Sequence, residues 1–258
     1  TYCLGDFKEF ADNVELQEVG FMNDAIVMNS ELAERGLKNA DNWGSKLRRL
    51  LLDRGVDADK SLMHYPVILA MCAVYERMSG AEQPAMTLTG SGNQGIGAIL
   101  PLVAIKRIED ISNEVLIRSV SLACLVTIYT KSYTGVLSPI CGGGSITSSA
   151  VSGGIVYMMR GSLQQIENAL QNTFASTAGM LCDGAKTNCA LKVATGTSAA
   201  ISNALLALDG VVVPDKDGIV SASVEGTIEN LGYLVDNGMR TVDKTIIDIL
   251  LNSKEGQT

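Results

Sequence analysis

Two stretches of this chain, from Gln83 to Ile105 and from Ser132 to Met159, contain no charged residue at all. Segments that long without charge either cross a membrane or lie inside a domain. Pro84, Pro101 and Pro139 interrupt them, and both are rich in Gly, Ser, Thr and Asn, which argues for buried helices joined by site loops. No transmembrane segment is expected. Aromatic residues make up only 5% of the chain while glycine contributes 26 residues, so the core is expected to consist of helices that approach closely through small side chains.

At 258 residues the chain is long enough for one large domain, which at this size buries about three quarters of the surface its unfolded form exposes. No internal repeat, low-complexity tract or long linker divides it, and a single domain over residues 1–258 is the expectation. The net charge of −8 argues against nucleic acid or an anionic membrane surface as partner and leaves small neutral or zwitterionic molecules. Six cysteines are too sparse for a disulfide scaffold. They fit a reducing compartment, so a cytoplasmic location is expected, and no signal peptide is visible. The chain starts at Thr1 rather than at a methionine, and its true N-terminus is expected to lie further upstream.

Helical signals dominate. A capped helix is predicted from Asn23 to about Gly36 and a second, largely apolar one from Asp59 to Ser79 and Gly80. Others are predicted over about 93–108, 113–129, 145–159, 163–178, 192–208, 220–237 and 242–251. The only strand-like runs are the short ones from Met86 to Thr89 and from Gly210 to Pro214. The expected class is all-α: a Gly/Ala-rich helical domain with cluster-binding loops.

The cysteines fall into two groups. Cys3, Cys72 and Cys124 sit in ordinary sequence, the last two on apolar helix faces where a free thiol behaves as a small hydrophobe. Cys141, in Pro139-Ile140-Cys141-Gly142-Gly143-Gly144-Ser145, and Cys182 and Cys189, in Cys182-Asp183-Gly184-Ala185-Lys186-Thr187-Asn188-Cys189, lie in turns rich in Gly or Asp. There backbone N–H groups can converge on thiolate and sulfide, and the backbone can approach a bulky group. Structural zinc usually takes four ligands from tight Cys-x2-Cys knuckles, and none exists here. A 4Fe-4S cluster on Cys141, Cys182 and Cys189 accounts for the missing fourth thiolate and leaves one iron free to act as a Lewis acid, which points to a lyase. A zinc-bound structural domain and a non-catalytic iron-sulfur or redox-sensing module are the other readings of the same thiols.

With these motifs the sequence resembles the L-serine dehydratase alpha-subunit family, and within it the L-cysteine desulfidase branch. The Cys-Gly-Gly-Gly turn at Cys141 and the Cys-x6-Cys pair of Cys182 and Cys189 match the residues the resemblance implies as cluster ligands. Gly90-Ser91-Gly92-Asn93-Gln94-Gly95-Ile96 resembles the family's glycine-rich substrate turn, and Leu181-Cys182-Asp183 resembles its Leu-Thr-Cys-Asp stretch. Serine dehydratases proper have a longer interval between the last two cysteines, so the chain departs from them toward the desulfidases. The resemblance implies α,β-elimination on a small amino acid, with L-cysteine giving hydrogen sulfide, ammonia and pyruvate, and L-serine as the alternative substrate. It covers the C-terminal portion of the family only. The desulfidase branch's Gly-Cys-Thr-Glu-Pro motif, implied to supply a catalytic cysteine, is absent, and Cys3 lacks its context. A missing N-terminal segment of the same protein is therefore an expected partner, and a homo-oligomer is possible on the same grounds.

Taken alone, the spacing of Gly90, Gly92 and Gly95 also fits a dinucleotide fingerprint, but no second strand follows to build the βαβ unit such a site needs. A helix beginning near Asn93 instead offers free N–H groups and a positive dipole end to an amino-acid carboxylate. Ser91, Gly92, Asn93 and Gln94 are accordingly the expected substrate contacts. His64, the only histidine, and Lys186, between two of the cysteines, are the remaining catalytic candidates.

Overall fold

Serine side chains start four of the helices. Ser91 Oγ accepts a hydrogen bond from Gln94 N at 3.4 Å, Ser112 Oγ from Val115 N at 3.3 Å, Ser162 Oγ from Gln165 N at 3.2 Å and Ser223 Oγ from Gly226 N at 3.1 Å. Gln165 returns the contact, its Oε1 accepting from Ser162 N at 2.9 Å. Each such cap is worth about 1 kcal/mol and fixes where its helix begins. The computed structural model describes residues 2–252, and among these the chain forms eleven α-helices and no extended strand. They are α1 (Leu4–Asn13), α2 (Met22–Lys38), α3 (Trp43–Leu52), α4 (Tyr65–Met78), α5 (Gly92–Glu109), α6 (Asn113–Thr134), α7 (Thr147–Met158), α8 (Leu163–Thr177), α9 (Cys189–Leu208), α10 (Val224–Gly238) and α11 (Val242–Asn252). The protein is all-α.

The uncharged stretches lie at the centre. In α5 every residue from Gln94 to Ile105 is buried, and in α7 every residue from Thr147 to Val156, as expected of helices with no polar face. α4 is buried from Pro66 to Val74 and packs against α2, α5 and α9. α9 in turn packs on α7 and α8, and α10 closes over α6 and α8. Small residues set the spacing. A side chain at Gly196 of α9 would place its Cβ 2.0 Å from Gly144 O, so only glycine lets α9 rest on the Gly142–Ile146 turn. That contact matters below, because the turn carries Cys141.

Two helices, α6 and α9, are long and apolar enough by composition to cross a membrane. The apolar window of α6 is 67% buried by its neighbours, which accounts for its composition as core.

The structure differs from the sequence expectation in several places. The helix predicted from Asp59 is divided: a single 3-10 turn covers Ala58–Lys60, and α4 starts only at Tyr65, with Pro66 in its first turn. The strand-like run from Met86 to Thr89 forms no strand. Met86 N is taken up by Asn29 Oδ1 at 2.9 Å and Leu88 pairs only with Ser91 across a tight turn, so the run has no neighbour with which to form a ladder. Val211 to Val213 is likewise irregular, with Val211 O and Val213 N held by the side chain of Asn172. Finally, α1 and α3, each ten residues long, were not anticipated, and α9 begins at Cys189 rather than Lys192.

Candidate functional site

Cys141 and Cys182 are brought side by side by a short antiparallel bridge between Ile140 and Leu181. Cys141 N donates to Met180 O at 2.8 Å and Cys182 N donates to Pro139 O at 2.7 Å. Directly after Cys141 the chain makes one wide π-helical turn, Gly142–Ile146, which returns Gly144 N to Cys141 Sγ at 3.3 Å. Cys189 is the first residue of α9. Lys192, one turn along α9, draws the Cys182 loop onto the helix. Its Nζ donates to Leu181 O at 2.7 Å and to the Asp183 carboxylate. The ammonium beside it holds the Asp183 carboxyl below the usual range, against the opposing effect of burial, and Asn188 Nδ2 adds a hydrogen bond at 3.2 Å.

The glycine turn faces these cysteines. Gly90 has φ +79° and Thr89 φ +49°, the left-handed conformations that fold the chain back before α5. Thr89 Oγ1 donates to Gln94 Oε1 at 2.8 Å, and the Gln94 side chain packs against Gly142 so closely that a Cβ there would lie 2.7 Å from Gln94 Cδ. Asn93 Oδ1 accepts from Arg77 Nη1 at 3.0 Å. The turn before α5, the turn after Cys141 and the start of α9 thus enclose one cavity of about 360 Å³, and Cys141, Cys182, Cys189, Ser91, Asn93 and Gln94 all line it. Gly92 lies behind this wall, against the guanidinium of Arg77.

The charge of the lining is one-sided. Arg77 and Lys131 both face the cavity, and among the described residues no Asp or Glu does, although the chain as a whole carries 28 acidic and 20 basic residues. Lys131, on α6, is 5% exposed and its one hydrogen bond among the described residues is to Ser138 Oγ at 3.3 Å. Burial lowers the pKa of its ammonium, and the thiols of Cys182 and Cys141, once ionised, favour its charged form. Burial likewise raises the Cys141 thiol, Gly144 N–H opposes this, and the neighbouring Cys182 adds to it. A buried cation without a carboxylate partner among the described residues, beside the Cys141 thiol that burial discourages from ionising, is an arrangement that an anionic group bound in the cavity would complete.

Among the described residues no three His, Cys, Asp or Glu side chains stand close enough to hold a single metal ion. One zinc ion needs its ligands gathered within one coordination sphere, whereas a cluster spreads its thiolates over different irons. Three cysteines around one cavity, an N–H aimed at sulfur and a buried ammonium nearby fit the second kind of group.

The other sequence candidates lie elsewhere. His64 precedes α4 outside this cavity, its Nδ1 2.7 Å from Ser61 Oγ. Lys186 is exposed and does not line the cavity. Arg77 and Lys131 were missed because a lone cation near a helix end or in an apolar helix has no motif; Lys131 in a run otherwise free of charge from Ser119 to Met159 was the available signal. Cys3 is exposed while Cys72 and Cys124 are buried, and burial pushes both of those thiols up to about 12. Iodoacetamide at mildly alkaline pH is therefore expected to label Cys3 in the native protein and to spare Cys72 and Cys124 until it unfolds. Labelling of either buried thiol at the rate of Cys3 contradicts their placement.

Residues 5–248 match the serine dehydratase alpha chain family. The chain belongs to that family. It is 40% identical over 252 residues to a UPF0597 protein of Clostridium botulinum, which covers 98% of this chain and 58% of the relative. It is 39% identical to UPF0597 proteins of Clostridium tetani, over 58% of that protein, and of Clostridium perfringens, over 60%. The chain thus spans less than two thirds of the length of these relatives. The family match takes in all three cysteines of the cavity and the whole glycine turn.

Proposed function

We propose that this chain is the cluster-bearing part of an iron-sulfur lyase that carries out α,β-elimination on a small amino acid, with L-cysteine preferred over L-serine. Membership of the serine dehydratase alpha chain family supports a lyase of this kind. The observation that carries the reading is the single cavity in which Cys141, Cys182 and Cys189 face the Ser91 to Gln94 turn across a lining that holds cations and no carboxylate. Cysteine is preferred on the short Cys-x6-Cys interval between Cys182 and Cys189.

In this scheme Cys141, Cys182 and Cys189 hold a 4Fe-4S cluster. The cluster, when bound, supplies an iron without a protein ligand that can accept the departing thiolate or hydroxyl of the substrate. Gly144 N–H and the Lys131 ammonium offset the negative charge of the thiolates. Ser91 and Asn93, with the backbone at the start of α5, receive the amino acid and turn its β-substituent toward the cysteines. Elimination removes the α-proton and the β-substituent of the amino acid; the enamine left behind tautomerises and takes up water, giving pyruvate and ammonia. No carboxylate or histidine lines the cavity among the described residues, and in this scheme a segment of the protein outside this chain supplies the proton acceptor. No pyridoxal phosphate is needed.

The test is product release under anaerobic conditions by the chain joined to the segment that precedes it in its gene. Sulfide and pyruvate in equal amounts from L-cysteine, at a higher kcat/KM than pyruvate from L-serine, is the expected result. Release of pyruvate from serine alone contradicts the substrate preference, and no release from either contradicts the lyase.

A further inference from the structure

Glu76 and Arg77 are adjacent on α4 but serve different places. The Glu76 carboxylate is buried and fully engaged, accepting from Asn39 Nδ2 at 2.7 Å, Asn42 Nδ2 at 3.0 Å and Arg35 Nε at 3.2 Å. Arg77 points away from this network to the cysteine cavity. No carboxylate forms an ion pair with it among the described residues. Only its Nη1 is used, donating to Asn93 Oδ1 at 3.0 Å and approaching Met78 Sδ at 3.2 Å. Nε and Nη2 have no acceptor among the described residues.

The start of α5 is shaped around this guanidinium. A Cβ on Gly92 would lie 2.3 Å from Arg77 Nε, so a glycine is required for Arg77 to reach the cavity wall at all. Beside it, Gly92 N and Asn93 N precede the first hydrogen bonds of the helix, whereas Gln94 N and Gly95 N are already taken by Ser91. The result is a planar cation with unused donors, oriented by Asn93 and set next to free backbone N–H groups. That combination matches the two oxygens of a carboxylate. Lys131 occupies the other wall, by the sulfurs of Cys141 and Cys182, and is placed to offset charge there.

We propose that Arg77 is the residue that binds the α-carboxylate of the substrate, and so restricts the site to amino acids and their acid analogues. This rests on the elimination reading above and adds to it the specificity-determining group. Arg77 binds the end of the substrate remote from the leaving group, which fixes the β-substituent on the cysteine side of the cavity. Asn93 acts through Arg77 as a positioning residue.

The experiment compares three thiols by calorimetry on the anaerobically reconstituted full chain: L-cysteine, 3-mercaptopropionate, which keeps the carboxylate but lacks the amine, and cysteamine, which keeps the amine but lacks the carboxylate. In Arg77→Met the two acids are expected to bind at least about 10-fold more weakly, the scale of a lost charge-assisted hydrogen bond, with cysteamine changed by less than about 2-fold. Arg77→Lys is expected to recover part of the loss. Asn93→Asp, which supplies Arg77 with an internal carboxylate, is expected to weaken the same two ligands even if Arg77→Met folds poorly. Iron content and helix content, measured on every variant, separate a binding defect from a lost site. Equal weakening of all three ligands, or undiminished binding of both acids to Arg77→Met, overturns the assignment to Arg77. Loss of acid binding in Lys131→Met but not in Arg77→Met moves the carboxylate to the other wall and equally overturns it. Failure of the reconstituted wild-type chain to bind any of the three thiols contradicts the elimination reading itself, together with the role given to Arg77.

Discussion

Replacing Cys141, Cys182 or Cys189 by Ser, one at a time, is expected to abolish iron retention by this chain, while Cys72→Ser and Cys124→Ser keep it. The contrast follows from placement. The first three thiols line one cavity from a bridge, a π-turn and a helix start, so none can substitute for another. Cys72 and Cys124 are core residues whose thiols burial holds at about 12, far from the thiolate that iron requires. Serine at position 141 keeps the turn but removes the sulfur on which Gly144 N converges. The visible absorbance of reconstituted protein, read with iron content, checks all five variants. Full iron in any of the first three, or loss in either of the last two, contradicts the ligand set.

The second large effect concerns the proton. The chain alone is expected to release sulfide from L-cysteine roughly 10² to 10⁴ times more slowly than the chain joined to the segment that precedes it, the range a positioned general base contributes. The cavity holds cations, amides, hydroxyls and thiols, and none of its lining residues among those described is a carboxylate or an imidazole. His64, the one histidine of the chain, is engaged with Ser61 outside the cavity. Equal rates with and without the added segment, measured as sulfide and pyruvate from the same substrate concentrations, contradict this. His64→Gln and Lys131→Met are then the variants that find the base within the chain.

Much of this architecture could be read from residue order, and the parts that could not have definite causes. Uncharged runs from Gln83 to Ile105 and from Ser132 to Met159 marked the core helices, because a helix without a polar face has nowhere to lie but inside. Helices were predicted near 93, 113 and 163, and the structure caps them with Ser91, Ser112 and Ser162. The cysteines and the glycine turn were legible as motifs, since their glycines answer to close approach: Gly142 to Gln94, Gly92 to Arg77, Gly196 to Gly144. Their shared cavity was not legible, because it depends on residues of α4, α5, α6 and α9 coming together around it. For the same reason Arg77 and Lys131 escaped notice. A single cation acquires meaning only from what surrounds it, and the acidic residue next to Arg77 in sequence is spent on Arg35, Asn39 and Asn42 instead. The break before α4 and the failure of Met86 to Thr89 to form a strand are tertiary effects of the same kind, decided by Pro66 and by Asn29.

The central claim is that Cys141, Cys182 and Cys189 together hold an iron-sulfur cluster, and the most direct measurement is the metal and acid-labile sulfide content of the wild-type chain after anaerobic reconstitution and gel filtration. About four irons and about four sulfides per chain, with brown colour, is the result the account predicts. One tightly held zinc per chain with neither iron nor labile sulfide would contradict it.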